Sequence, residues 1–207
     1  WITLVIAGKS YDEAYRLATK ECQAKGGTFI SAFDHIDIIA GQGTSALEFL
    51  QQQPDLDILY VPVGGGGLIA GYLAAKLHLG HPVKIIGVEP SAAPSASFAL
   101  AAGMPVTIRT TATVAEGAKV ARIGDLPFRI MQENHVEIIQ VSEPEILSAM
   151  DLLHRKEDIL VEGAGALPLA GLVKQLPEMG ANENVGLVLS GGNISIRRIG
   201  EAYGYAA

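Results

Sequence analysis

The chain has 207 residues, enough to bury a real core as one domain or as a domain with a fragment of another. Hydrophobic residues make up 49% and charged residues 18%, a globular composition and not a disordered one. The formal net charge of −7 argues against a nucleic-acid scaffold and against docking on anionic lipid. One cysteine, Cys22, excludes an intrachain disulfide framework and a cysteine-based metal cluster, and a reducing cytoplasm fits best.

The first apolar run, residues 2–7, reads as a strand. No basic leader precedes it, and it is far shorter than a membrane span. Its abrupt start and the missing initiator methionine suggest a processed, truncated or excised chain. Helical spacing of Ala14, Leu17, Ala18 and Cys22 predicts a helix over 11–24, stopped by Gly26 and Gly27, with a short strand at 28–32. The stretch Ser31 to Asp37 breaks the pattern. It marks a crossing from the remainder of a small domain, residues 1–33, to a larger domain, residues 34–207. Ser45 and Glu48 have capping-box spacing ahead of Leu47 and Leu50. Val- and Ile-rich strands are expected at 57–63, 83–88, 136–141 and 185–190. Ser142 and Glu145 make a second capping box before Ile146, Ala149, Met150 and Leu153 at helical spacing. Continuous apolar strands alternating with helices predict an α/β fold, an open parallel sheet with helices on both faces.

Three glycine-rich junctions interrupt this pattern. Gly64 to Gly67 stand between the strand at 57–63 and a helix beginning near Leu68. Side-chain-free backbone N–H groups can converge there, and the helix adds its positive end, so the junction reads as an anion cradle suited to a phosphate. Nothing matches the Walker pattern: Gly8-Lys9-Ser10 would need a glycine at position 3, where Thr3 sits. No G-x-G-x-x-G with a following ribose-binding acid points to a dinucleotide. Val161 to Ala166 is rich in small residues and opens a helix, with Glu162 as a dipole-favoured acid at its start. Ser190, before Gly191 and Gly192, would stand at the carboxyl end of the last strand, on the same sheet edge as the tetraglycine loop. Its hydroxyl can hydrogen-bond a heteroaromatic nitrogen while staying neutral, or simply cap the turn. The five histidines lack metal-ligand spacing, and Arg197-Arg198 reads as a solvated pair.

Seven segments together resemble the threonine and serine dehydratases, pyridoxal-phosphate enzymes of the tryptophan-synthase-β type, or fold type II. They are Phe33-Asp-His35, Ile39-Ala-Gly-Gln-Gly-Thr44, Val61-Pro-Val-Gly-Gly-Gly-Gly-Leu68, Val114-Ala-Glu-Gly117, Arg122-Ile-Gly-Asp125, Glu162-Gly-Ala-Gly-Ala166 and Leu189-Ser-Gly-Gly-Asn193. They follow the family's order and spacing over essentially the whole chain. The resemblance implies pyridoxal 5'-phosphate as cofactor, with backbone N–H groups of Gly64, Gly65, Gly66, Gly67 and Leu68 on its phosphate. It sets Ser190 at the pyridine nitrogen and Glu116 and Gly117 on the substrate side. The implied activity of the intact parent is conversion of L-threonine or L-serine to a 2-oxo acid and ammonia, feeding isoleucine biosynthesis, in a homo-oligomeric dimer or tetramer.

The chain departs from the family in two respects. The family's Schiff-base lysine and its Asn loop lie upstream, outside this chain, so the chain alone is expected to be inactive. Lys119, beside the Ala-Glu-Gly segment, is expected on a helix surface. The alternative is a catalytically inactive fragment, split subunit or pseudoenzyme that binds a phosphorylated ligand or a partner. Serine racemase is a weaker alternative. Its divalent-cation ligands would fall at Glu89, Ala93 and Ser95, a degenerate set with one carboxylate lost, so weak or absent metal binding is expected.

Overall fold

A computed structural model describes residues 2–180 and 182–194; Trp1 and the Arg197-Arg198 pair lie outside the described residues. The Val- and Ile-rich runs form four parallel strands: β1 (Ile58–Pro62), β2 (Lys84–Pro90), β3 (Glu137–Val141) and β4 (Val185–Leu187). The spatial order is β3-β2-β1-β4, so β1 is flanked by the strand that follows it in the chain and by the last one. Register pairs Leu59 with Ile85 and Tyr60 with Ile86.

Alternation along β1 divides the core into two layers. Leu59, Val61 and Val63 face one layer, with Leu50 of α2 (Ile36–Gln52) and Ile69 and Leu73 of α3 (Gly67–Leu79). Tyr60 faces the other, with Ile86, Val88, Ile146 and Leu167. Ile146 belongs to α6 (Glu143–Glu157) and Leu167 to α7 (Gly163–Gln175). Helices therefore cover both faces, as an unbroken apolar strand requires. Each such side chain contributes roughly 1.5–3 kcal/mol by leaving water, and Leu59, Tyr60 and Val61 have no exposed surface.

Two expected strands are not there. Residues 2–7 and 28–32 pair with nothing among the described residues, and Ile2 and Ile6 are 98% and 90% exposed. A lone extended segment has no partner for its backbone groups, so β-propensity alone does not make a strand. The helix expected at 11–24 is α1 (Tyr11–Ala24), capped by Ser10, whose Oγ accepts the Glu13 N–H at 3.2 Å. It contributes no buried residue.

Ser45 opens no helix. It lies inside α2, which starts at Ile36 behind His35, whose Nδ1 accepts the Asp37 N–H at 3.2 Å. Ser45 Oγ instead donates to the Gln42 carbonyl and to Tyr72 of α3. The second capping box is real: the Glu145 carboxylate accepts the Ser142 N–H and hydroxyl at 2.5 and 2.7 Å, and the predicted face of α6 is buried. Two further helices, α4 (Ser95–Ala102) and α5 (Asp125–Glu133), were not signalled by periodicity. Among the described residues no helix is long and apolar enough to cross a membrane.

The α2–α3 crossing is set by two glycines. A Cβ on Gly71 would lie 2.6 Å from both the Gly43 nitrogen and the Ile39 carbonyl oxygen, and backbone cannot step aside as a side chain can. Gly71→Ala improves helix propensity by about 1 kcal/mol, yet overpacking costs about 1–3 kcal/mol or more. A lower urea midpoint for this variant is the expected result; an unchanged or raised midpoint would show that the crossing has slack.

Candidate functional site

Because β2 and β4 lie on opposite sides of β1, the strand order reverses there, and the carboxyl ends of β1 and β4 open onto the resulting crevice. A cavity of about 390 Å³ occupies it. Gly64, Gly65, Gly66, Gly67 and Leu68 line it where β1 turns into α3, Ser190 lines it beyond β4, and Glu116 and Gly117 line it from a short 3-10 turn. The structure thus brings the sequence-predicted binding residues to one place.

The glycine loop is shaped by close approach. A Cβ on Gly64 would sit 2.9 Å from Ala118 Cα, and one on Gly67 would sit 2.9 Å from Phe33 Cα and Cβ. A Cβ on Gly65 would enter the Phe33 ring. Gly66 has φ = +90° and is the N-cap of α3. The N–H groups of Gly67, Leu68 and Ile69 open the helix and have no intrahelical acceptor, whereas the Ala70 N–H already bonds the Gly66 carbonyl at 3.0 Å. These donors and the positive end of a thirteen-residue helix meet at the wall of the cavity that Gly64 to Gly67 and Leu68 form.

The opposite wall depends on the small residues that open α7. A Cβ on Gly163 would strike the Val114 carbonyl, and one on Gly165 the Gly191 carbonyl. The start of α7 is therefore wedged between the 114–118 loop and the turn after β4. The Glu162 N–H donates to the Gly191 carbonyl at 3.0 Å. The 114–118 loop is held from behind, where Glu143 accepts the Val114 N–H at 2.8 Å and Thr113 Oγ1 accepts the Ala115 N–H at 3.1 Å.

Two residues that the sequence places in structural roles also line the cavity. Glu162 lines the cavity, with its carboxylate packed between Gly117 and Gly191. Lys119 is half-buried and lines the cavity too, with no ion pair among the described residues, and does not stand on a helix surface. Adjacency to Glu116 and to the small-residue run was the available signal. Tyr11 of α1 and Phe33 also reach the cavity, their rings 5.5 Å apart.

Glu89, Ala93 and Ser95 lie away from the cavity, at the start of α4. Glu89 is completely buried, and its two carboxylate oxygens accept the Ala96 and Ser97 N–H groups at 2.9 and 3.0 Å. The Ala93 carbonyl accepts the Ser95 N–H, while the buried Ser95 Oγ has no partner among the described residues. The carboxylate serves as a remote cap for a helix whose own N-cap, Pro94, offers no side-chain bond. Among the described residues no cluster of three or more His, Cys, Asp or Glu could hold a metal ion.

Comparison with known proteins identifies the family. The family model described as "Pyridoxal-phosphate dependent enzyme" matches residues 2–191. The chain is similar to an L-threonine ammonia-lyase of Geobacter sulfurreducens, 43% identical over 95% of this chain and 48% of that protein. It is also similar to an L-threo-3-hydroxyaspartate ammonia-lyase of Saccharomyces cerevisiae, 37% identical over 94% of this chain and 60% of that protein. A solved structure, the processed form of threonine deaminase isoform 2 from Solanum lycopersicum, superposes with a TM-score of 0.89 at 32% identity, covering 98% of this chain and 60% of that one. The chain spans about half the length of the Geobacter relative. The side-chain-free cradle and its free N–H donors fit a phosphate, and the neutral Ser190 hydroxyl fits a ring nitrogen.

Burial raises the Glu89 pKa above the ordinary value of 4.5, while its hydrogen bonds with Ala96 and Ser97 pull it back. The folded state therefore holds this proton more tightly than the unfolded chain. Its contribution to stability is present in full below the unfolded value and is lost as pH rises through the folded one. Glu89→Gln should flatten the thermal-midpoint profile across that acidic window, and an identical profile in both proteins would exclude Glu89 as its source.

Proposed function

The chain belongs to the pyridoxal-phosphate-dependent enzyme family, and we propose that the protein carrying it is a threonine ammonia-lyase, converting L-threonine to 2-oxobutanoate and ammonia. The observation that carries the reading is the convergence of the tetraglycine N–H groups, Ser190 and the Glu116–Gly117 turn on one cavity at the strand-order reversal. The names and identities of its relatives support the choice of substrate. Bound there, pyridoxal phosphate supplies an electron sink for charge developing at the substrate's α-carbon.

This chain's residues bind and orient. Gly64 to Gly67 and Leu68 hold the phosphate through N–H groups that need no counter-cation. Ser190 would face the ring nitrogen with a hydroxyl that neither gives up nor takes a full charge, which would temper the ring as an electron acceptor and suit loss of the substrate's β-hydroxyl. Glu116 and Gly117 border the substrate. The lysine that carries the cofactor is assigned to a segment upstream of Trp1. The reading includes a small-domain remainder at 1–33 and a cofactor domain at 34–207, supported by α1 contributing nothing to either core. It also includes a homo-oligomeric, cytoplasmic enzyme supplying isoleucine biosynthesis.

A second reading, elimination from 3-hydroxyaspartate, has one observation in its favour: the Lys119 ammonium in the cavity wall would match a second substrate carboxylate. In the full-length protein, 2-oxobutanoate release from L-threonine is the expected activity. Cofactor binding without turnover of either substrate would instead support a non-catalytic binding protein. Ser190→Ala should lower kcat/KM for L-threonine about three- to ten-fold, the loss of one hydrogen bond. A variant as active as the parent would remove Ser190 from the ring nitrogen. Lys119→Ala should leave threonine turnover intact, whereas selective loss of 3-hydroxyaspartate turnover would favour the second reading.

A further inference from the structure

α5 begins without a cap of its own. Its N-cap is Gly124, which has no side chain, yet two of its first N–H groups are satisfied from ninety-odd residues away: Asp125 N–H meets Asp34 Oδ2 and Leu126 N–H meets Asp34 Oδ1, each at 3.0 Å. A carboxylate suits that end, where the helix is electropositive. The fit is close: a Cβ on Gly124 would lie 2.9 Å from both Cβ and Cγ of Asp34. Asp34 is itself fixed by Ser31, whose Oγ accepts the Asp34 N–H at 3.0 Å.

The capped end of α5 bears on the glycine loop. The Gly124 N–H donates to the Gly65 carbonyl at 3.1 Å. A Cβ on Gly66 would lie 2.8 Å from Pro127 Cβ and 3.1 Å from Ile123 Cδ1. Since a trans peptide sets C=O and N–H in opposite directions, anchoring the Gly65 carbonyl toward α5 turns the Gly66 N–H away from it. Phe33, next to Asp34 in the chain, covers Gly65 and Gly67.

We propose that Asp34 is a positioning residue for the phosphate loop: by holding the first turn of α5 it fixes the Gly65–Gly66 peptide in the orientation that receives the phosphate. The proposal rests on the reading of Gly64 to Gly67 as a phosphate cradle. Asp34 does not line the cavity; it acts through Gly124, Ile123 and Pro127.

The test uses the full-length protein freed of cofactor and titrated by fluorescence with pyridoxal phosphate and, separately, with pyridoxal, which lacks the phosphate. Asp34→Asn accepts one N–H and turns an amide donor on the other. It is expected to bind pyridoxal phosphate about ten-fold more weakly, the scale of one charged hydrogen bond, and pyridoxal within about two-fold of the parent on the same scale. Gly124→Ala, which displaces Asp34 without removing its charge, should show the same selective loss and serves if Asp34→Asn does not fold. Equal loss for both ligands, or a parental preference retained in the variants, overturns the role of Asp34 alone. A parent with no preference for the phosphorylated ligand overturns the phosphate reading and this proposal with it.

Discussion

The donors that open α3 must meet something, and the loop that leads into them, Gly64 to Gly67, carries no side chain of its own. That single constraint organises the region around it. Because Gly64, Gly65 and Gly67 carry no Cβ, Ala118 and Phe33 pack directly on loop backbone. Because Gly66 sits at positive φ, the chain turns from β1 into α3 within one loop. The loop is not slack despite its composition. Its walls come from three other parts of the chain, so four residues of high intrinsic freedom are held by neighbours and not by their own dihedral preferences.

Much of this was legible before any coordinates. Val and Ile runs mark all four strands, and a helix lies in every gap between these parallel strands, although α4 and α5, which fill the gap between β2 and β3, leave no periodic signal. The glycine run read as an anion site because its context, strand then helix, is the one in which orphan N–H groups accumulate. Ser190 was findable because a parallel sheet puts all carboxyl ends on one edge.

What escaped has physical reasons. Residues 2–7 have strand composition, but a strand is a pairing and composition cannot name the partner. Ser45 and Glu48 have the spacing of a cap, yet the buried face Ile39, Gly43, Ala46 and Leu50 runs through them, and a continuing apolar stripe outweighs a cap worth about 1 kcal/mol. Lys119 and Glu162 escaped because their neighbours in space come from other segments. Asp34 capping α5 is likewise invisible to spacing rules, which look three or four residues ahead and not ninety. Glu89 shows the converse: the sequence resemblance points to it as a cation ligand, whereas both its oxygens accept backbone N–H groups at the start of α4.

Tyr11 does two things at once: it lines the cavity and its ring lies 5.5 Å from that of Phe33, which itself covers Gly65 and Gly67. α1 has no buried residue of its own, and this aromatic contact joins it to the segment that covers the glycine loop. Thermodynamic reciprocity then applies. A molecule that binds the cavity only when the Tyr11–Phe33 pair is in place stabilises the docking of α1, and whatever stabilises that docking tightens, by the same free energy, the molecule's grip.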